Sequence, residues 1–444
     1  MRDPGMDDLL ELSEIACQEA MRAGVDSADA SASRARELSV EVEKNAIKSS
    51  GACMWGSISV RAFSSGGTGW WSASTMSEQG AREAGRRAAE LAKAAEADPD
   101  FVDLVSPAAY PEVAGLYDEE IAGLSASELA EWITSNIDSA REVAEDVIVA
   151  GGAQAASREW ALANNLGVRV AQRETNSSVS VHVVIRQDDD VGSFYEWDAA
   201  RLASDLEPDG IGARAAEEAL KYLSSRTMKT ACLPVVLGPL ASRAFFLGLC
   251  AATSAEEVQR DRSFLIGKRG ESIASDGLTL TDDPMIPSGL SSAICDGDGF
   301  PHRRVGLIDR GVLQTYLHSN YTAKKSGEEN TGHSTRGGIA PTNVIPTLGE
   351  KTAAEIIGEV DDGIYVTLGR PYPDTASGQV SALVDAGFRI EKGRLTYPLK
   401  NTMVAGQMLD LLQNLDAVSS DYRAEPGMVL PTVRIQGMRV ASGE

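Results

Sequence analysis

The order in which hydrophobic periodicity changes along this chain constrains its fold more than any single residue does. From Met6 to Arg22, apolar side chains at Leu9, Leu10, Leu12, Ile15, Ala16 and Ala20 recur at helical spacing, and Gly24 stands where that helix would end. Leu38, Val40 and Val42 then alternate with polar neighbours, as do Ile58, Val60 and Ala62, ahead of a turn-rich run from Ser64 to Gly69. Ala-rich helical spacing returns over Ser77 to Ala97 and is broken by the proline-containing stretch from Pro99 to Pro111. The same order follows a second time. A helix is expected over Ser127 to Val143, strands around Val147 to Ala150, Ala155 to Leu162, Val168 to Arg173 and Val179 to Ile185, and a helix over Asp209 to Leu223. Local echoes accompany the order: SISVRAF and SVSVHVV, GTGWWSAS and VGSFYEWDA, GAREAGRRAAELAK and GARAAEEALKYL. These point to an internal duplication, about residues 6–97 and 125–225.

After Leu223 the character changes to Gly, Pro, Asp and short β-branched runs. Helices are expected over Pro239 to Ala252 and Ala353 to Gly358, with short strands at Val305 to Ile308, Ile364 to Leu368, Phe388 to Glu391 and Thr432 to Ile435. At 444 residues the chain exceeds one ordinary core, since domains run to roughly 100–200 residues. The expected division is an N-terminal α+β domain, 1–228, and a β-rich C-terminal domain, 229–444. The fold class is therefore α+β: duplicated antiparallel sheet-plus-helix units followed by a β-rich region.

Charge narrows the partners. Forty-one basic against sixty-five acidic side chains leave a net charge of −24, a field that repels phosphate backbones and anionic lipid heads. Nucleic acid and membranes are not expected partners. The N-terminal stretch is acidic and amphipathic, without the basic and apolar regions of a signal peptide, and no segment approaches the ~20 apolar residues of a membrane span. Cys17, Cys53, Cys232, Cys250 and Cys295 form no CxxC pair and suit reduced thiols. A cytoplasmic location is the expectation.

Local catalytic motifs are sparse. A catalytic zinc takes about three protein ligands, commonly two from one helix. His182, His302, His318 and His333 are not paired on a helix, and no HExxH occurs. A site gathered from His302, His318 and His333 is one alternative; polar surface or cleft histidines are the blander one. GHSTR at Gly332 to Arg336 has Arg336 where a nucleophile elbow wants Gly. GGTG at Gly66 lacks the Lys of a phosphate loop and reads as a hairpin turn. Asp282, Asp283, Asp296 and Asp298 read as turn residues rather than a calcium loop. In NTGHSTRGGIAPTN, Asn330 to Asn343, small residues let the backbone approach a ligand, while Arg336 and His333 offer donors to a peptide carbonyl or carboxylate. A structural or interface loop is the competing reading. His333, Ser334, Arg336 and Asn343 are the candidates for a substrate or partner cleft.

Several separate motifs, SFLIGKRGESIAS, LTLTDDP, CDGDGFPHRRVGLIDRGVLQTYL, TAKKSGEENTGHSTR and the ending PGMVLPTVRIQGMRVASG, occur in an order that closely resembles the TldD/PmbA family. The resemblance covers essentially all of the chain from about residue 228 and is weaker before it. It implies a metalloprotease family in which TldD-type subunits bear an HExxxH helix and a later cysteine, while PmbA-type (TldE) subunits lack them. Counting back from Ser263 without gaps, that helix falls on FLGLCA, with Phe246 and Ala251 where histidines would stand and Leu247 in place of the glutamate. No shift of register creates an HExxxH, and no cysteine follows Cys295. The match is thus to the PmbA/TldE type. It implies a non-catalytic subunit with no cofactor of its own, paired with a TldD-like, HExxxH-bearing subunit that holds zinc, in a heterodimer or larger complex acting on unfolded peptides. A stand-alone binding or regulatory protein, of the kind behind the family's label as a DNA gyrase modulator, and an enzyme with a different site are the alternatives.

Overall fold

The computed structural model describes residues 4–443. Helix α1 (Pro4–Arg22) leads into strands β1 (Ser27–Glu43), β2 (Ala46–Ser64) and β3 (Gly67–Ala73), and α2 (Glu78–Ala94) closes the unit. After the short α3 (Glu119–Gly123), helix α4 (Ala126–Val143), strands β4 (Ile148–Asn164), β5 (Arg169–Gln187) and β6 (Asp190–Ala200), and α5 (Ile211–Leu220) repeat that order. Strands β1 and β4 pair antiparallel from Asp29–Asn164 to Val42–Gly151. The two strand sets thereby form one six-stranded sheet, β3-β2-β1-β4-β5-β6.

Alternation decides what each face of this sheet meets. Ala28, Ala30, Ala32, Ile58, Val60 and Ala62 bury against Ala16, Ala20, Ala81, Ala84, Ala88 and Ala92 of α1 and α2. Farther along the same face, Leu38, Val40, Val42, Val179, Val181 and Val183 bury against Leu129, Ile133, Ile137, Ile211 and Ala215 of α4 and α5. Helix-to-sheet approach is close enough to require glycine in the third strand of each unit. A Cβ on Gly69 of β3 would stand 2.1 Å from Ala88 O of α2, and one on Gly192 of β6 would stand 2.1 Å from Ala219 O of α5.

Two expected breaks are absent. The separate strands anticipated at Val147 to Ala150 and Ala155 to Leu162 are one strand, β4, and those at Val168 to Arg173 and Val179 to Ile185 are one strand, β5. Gly151 marks a close approach rather than a turn, because the room for its Cβ is taken by Ser180 O at 2.2 Å. The polar run within β5 stays in the sheet because the Thr175 hydroxyl donates to Arg201 O (2.9 Å) and the Ser177 hydroxyl to Gln154 O (2.8 Å). The turn expected over Ser64 to Gly69 is confined to Ser65 and Gly66, both at positive φ, and β3 begins at Gly67.

The remainder of the chain is β-rich. Strand β7 (Ala231–Leu237) is followed by α6 (Pro239–Ala252) and α7 (Ala255–Gln259). Strands β8 (Leu280–Asp282), β9 (Val305–Asp309), β10 (Val312–Leu313) and β11 (Val344–Pro346) form a small sheet, with α8 (Asn320–Ser326) between the last two. Strands β12 (Asp362–Gly369), β13 (Gln379–Glu391), β14 (Arg394–Pro398), β15 (Thr402–Gln407), β16 (Leu415–Glu425) and β17 (Met428–Ser442) join β7 in a seven-stranded sheet, in which only β7 and β12 pair in parallel. Phe245, Phe246 and Leu249 of α6 fill its core against Val235, Leu237, Val366, Val433 and Ile435. No described helix is long and apolar enough to cross a membrane.

The face of the six-stranded sheet away from its helices docks on this region. Leu162, Val168 and Val170 bury there with Val105 and Cys295, and Phe300 packs against them. A charged group secures the same junction: Arg201 donates from Nε to Gly289 O (2.7 Å), from Nη1 to Leu116 O (3.3 Å), and from Nη2 to Leu290 O (2.8 Å) and Ser292 O (3.0 Å).

Candidate functional site

The loop from Asn330 to Asn343 runs along this junction. Its tip is a tight turn: Ser334 bridges to Ile339, Thr335 N–H donates to Gly338 O, and Arg336 sits between them at φ 67°. A non-glycine residue in that region is sparsely populated and marks a constrained position. The Ser334 hydroxyl accepts from Arg336 N–H at 3.2 Å, which holds the turn.

Arg336 reaches across to the sheet. Its Nη2 lies 2.6 Å from Asp29 Oδ1 of β1, while Arg61 of β2 bonds Asp29 through Nε and Nη2 and bonds Asp298 at 2.6 Å. Asp29, Arg61, Asp298 and Arg336 thus form a charge-balanced cluster, two acids and two bases, with side-chain exposures of 3%, 13%, 12% and 13%. Burial by itself would raise the Asp29 carboxyl, but the adjoining Arg336 and Arg61 hold it below the usual carboxylate range. Burial depresses the Arg336 guanidinium, opposed by Asp29, and its Nε and Nη1 are buried without a hydrogen-bond partner. Asp296, beside this cluster, accepts from the N–H groups of Asp298, Phe300 and Ser334, yet burial and the Asp298 charge push it up to about 7.

Ser334 and Arg336 face a cavity of about 470 Å³ whose wall includes Arg61, Phe63, Trp70, Phe101 and Glu256. The other two cleft candidates stand elsewhere. His333 is fully buried behind the loop, with Nε2 3.0 Å from Asp282 Oδ1 and Nδ1 3.0 Å from Thr331 Oγ1. Asn343 is buried too; its amide donates to Asp283 O (2.7 Å) and Ser292 Oγ (2.8 Å) and borders a second cavity with Arg243, Trp197 and Glu425.

The three histidines at 302, 318 and 333 are not surface groups, as their exposures of 8%, 3% and 2% show. His302 and His333 stack edge to face with centroids 6.3 Å apart, whereas His318 turns to Thr322 Oγ1 at 3.3 Å. Among the described residues no three His, Cys, Asp or Glu side chains are grouped to hold a metal ion. The reading of all four aspartates as turn residues needs correction. Asp283 and Asp296 do cap backbone amides, but Asp282 is fully buried against His333 and Thr342, and Asp298 pairs with Arg61.

On α6, Phe246 is 1% exposed and lies in the core, and Ala251 is partly buried. Cys250 beside it is buried, and burial together with the Asp282 charge raises its thiol well above the ordinary value. Neither Phe246, Leu247 nor Ala251 carries a lone pair for a metal, so these positions do not fit a zinc ion.

Burial, with His333 adding to it, lowers His302 to about 4, against about 6.5 when unfolded. Between those values the unfolded chain binds a proton that the folded chain does not. Stability from this group is therefore complete above pH 6.5 and is lost as pH falls. From pH 7.5 to 5.5 we expect a loss of about 1 kcal/mol. Asp296, raised in the fold, contributes with the opposite sign, losing stability as pH rises towards 7. The measurement is accordingly the difference between wild type and His302→Phe in urea unfolding at the two pH values; equal pH dependence in both proteins would rule the effect out.

Sequence reasoning named Ser334 and Arg336 as cleft candidates and did not single out Asp29 and Arg61, which join Arg336 in the charge cluster. Both alternate with small or apolar residues on strands, Asp29 beside Ala28 and Ala30, and Arg61 beside Val60 and Ala62. They fall on the polar face, which reads as solvated until another layer covers it.

Known proteins share this fold. The model described as the PmbA/TldA metallopeptidase central domain matches residues 119–223, and that of the PmbA/TldA metallopeptidase C-terminal domain matches residues 230–442. The metalloprotease PmbA of Escherichia coli O157:H7 is 28% identical over 286 residues, 63% of this chain and 61% of that protein, so the chain matches about three-fifths of that relative's length. The PmbA homologue of Haemophilus influenzae is 24% identical over 453 residues, 98% of this chain and 96% of its own. The crystal structure of TldE from Thermococcus kodakarensis superposes with a TM-score of 0.89 at 26% identity, covering 97% of this chain and all of that one. Matched across its central and C-terminal parts, and sharing its whole fold with TldE, the chain belongs to the PmbA/TldD metallopeptidase family.

Proposed function

We propose that this chain is the non-catalytic, PmbA/TldE-type subunit of a TldD/TldE-type heteromeric zinc metalloprotease that acts on unfolded peptides. The observation that carries this reading is helix α6, where the residues counted onto the metal-binding positions are Phe246, Leu247 and Ala251, and Phe246 is core. A helix that packs Phe245, Phe246 and Leu249 against a sheet stabilises the subunit by burying apolar surface, and its side chains leave no site for a hydrated ion. The names of the relatives, metalloproteases among the curated proteins and TldE among the structures, support a place in such a complex. No step of bond cleavage is assigned to this chain. Zinc and the chemistry it supplies belong to the partner, while this subunit contributes shape: a wall of the peptide chamber in which Ser334 and Arg336 line the cavity, and His333 and Asn343 hold the loop from behind.

The experiment is reconstitution. The purified chain, mixed with a homologue bearing HExxxH, is expected to form a stable complex whose peptidase activity on an unfolded peptide neither chain shows alone. Failure to form any complex would end this reading. Peptidase activity with stoichiometric zinc in this chain by itself would also end it.

A further inference from the structure

A carboxylate at the end of β16 is buried without the donors that such a group normally finds. The Glu425 side chain is 10% exposed, and its Oε1 is buried with no hydrogen-bond partner. Two guanidinium groups stand at ion-pair range, Arg423 Nε at 3.4 Å from Oε1 and Arg243 Nε of α6 at 3.5 Å from Oε2. The first of them is engaged elsewhere. Arg423 Nη2 donates to Glu196 Oε1 (2.6 Å) and to Trp197 O (2.9 Å), and its guanidinium lies over the Trp197 ring, 4.7 Å from the centroid. Asp198, two residues beyond Glu196 on β6, adds a third acid. Glu196, Asp198 and Glu425 against Arg243 and Arg423 leave this group with one negative charge in excess. Burial, with the charges of Glu196 and Asp198 adding to it, raises the Glu425 carboxyl against the pull of the two arginines.

Glu425, Asp198, Arg243 and Arg423 line one cavity of about 410 Å³, with Asn176 and Ser178 of β5 on its wall. The chemistry of that wall selects an occupant. An anion would deepen the negative excess, in a chain that already carries −24. A neutral donor would leave the excess uncompensated where water is scarce. A metal ion lacks ligands, because among the described residues no three His, Cys, Asp or Glu side chains are grouped to hold one. An organic cation meets both needs: its N–H groups supply the donor that Oε1 lacks, and its charge balances the third acid. Rotation about the last side-chain bond of Glu425, a soft torsion, presents either oxygen to the cavity.

We infer that this cavity is a binding site for an alkyl guanidinium or ammonium group, anchored by Glu425 with Asp198 as the second carboxylate. A guanidinium spreads five donors over one plane and so reaches two separate carboxylates, while an ammonium offers three from a single point. The basic side chain of a peptide and a free small amine or guanidine share this chemistry. The site goes beyond the protease reading and is independent of it, since binding is read on this chain with no partner present.

Calorimetry on the full chain tests this with three probes: N-butylguanidinium, its neutral isostere N-butylurea, and a capped glycine-arginine-glycine peptide. N-butylguanidinium is expected to bind with a Kd on the order of 1 mM, and N-butylurea at least roughly ten-fold more weakly. The indole N–H resonance of Trp197, on the cavity wall, should move as the site fills. Glu425→Gln keeps the volume, removes the charge, and should weaken N-butylguanidinium roughly ten-fold or more. Arg243→Gln should act in the opposite direction, tightening it about three-fold or more, because a competing guanidinium has gone; loss of folding cannot produce that result. Peptide affinity equal to or above that of the free guanidinium assigns the site to a peptide side chain, and affinity roughly ten-fold lower assigns it to a free small cation. No saturation by N-butylguanidinium at about 20 mM overturns the proposal, as does equal affinity for the urea or wild-type affinity in Glu425→Gln. Weaker binding in Arg243→Gln also overturns it, since the arginine and not the carboxylate would then be the anchor.

Discussion

Asp29→Ala is expected to destabilise the folded chain by about 3–5 kcal/mol, the usual consequence of removing one partner from a buried ion cluster. The wild-type cluster balances Asp29 and Asp298 against Arg61 and Arg336. Without Asp29, both guanidinium groups remain largely buried and share only Asp298, and the Nη2 of Arg336 joins its Nε and Nη1 in having no partner. Hydrophobic burial nearby cannot offset this, because the loss is an uncompensated charge and not a lost contact. A double substitution separates the two. Asp29→Ala with Arg336→Met leaves Arg61 paired with Asp298, neutral again, and should recover part of the loss in a double-mutant cycle. Equilibrium urea unfolding reads both; a single-variant effect under 1 kcal/mol, or no coupling between the sites, would show that water solvates the cluster.

Arg201→Met is expected to cost about 3 kcal/mol or more, by a different route. Arg201 has one ion-pair partner, Glu174 at 3.7 Å, and its hydrogen bonds go to the carbonyls of Leu116, Gly289, Leu290 and Ser292. Burial lowers its guanidinium pKa, opposed by Glu174. Met fills similar space but leaves the Leu290 and Ser292 carbonyls without a donor, while those of Leu116 and Gly289 keep only the N–H groups of Thr175 and Ser292. Lysine brings one ammonium where the site uses three nitrogens in a planar fork, so Arg201→Lys should retain only part of the stability. Hydrogen exchange should quicken at the amides of residues 286–293 in both variants, since Ser292 N–H and Gly289 N–H bond within that same loop. Protection in the loop equal to wild type would mean that the loop holds without the arginine.

Much of the fold was legible because it rests on local pattern. The helix over Pro239 to Ala252 was expected with the bounds it has, its start marked by Gly238 and Pro239 and its apolar character by AFFLGLCAA. The repeated order in the N-terminal half was legible for the same reason, and GTGWW and VGSFY each carry a glycine that lets β3 or β6 approach its helix. Strand lengths were not. Large apolar residues at Leu38 to Val42 announce β1, but Ala28, Ala30 and Ala32 bury equally well and carry almost no signal, so the start at Ser27 was invisible. In β5 the run Thr175 to Ser178 looks like a turn and is strand, because its hydroxyls find partners that lie far away in sequence.

The site divides along the same line. By itself the sequence determined that the chain has no HExxxH, that Phe246 and Ala251 are not ligands, and that the loop around Ser334 and Arg336 is small enough to turn tightly, since each of these is a property of neighbouring residues. Only the tertiary structure decided that Asp29, Arg61, Asp298 and Arg336 are one cluster and that His333 is buried against Asp282. Alternation assigns Asp29 and Arg61 to the polar face of a sheet, and a polar face is solvent until another layer docks on it. Which faces are covered depends on contacts between residues hundreds of positions apart, and no local spacing encodes those.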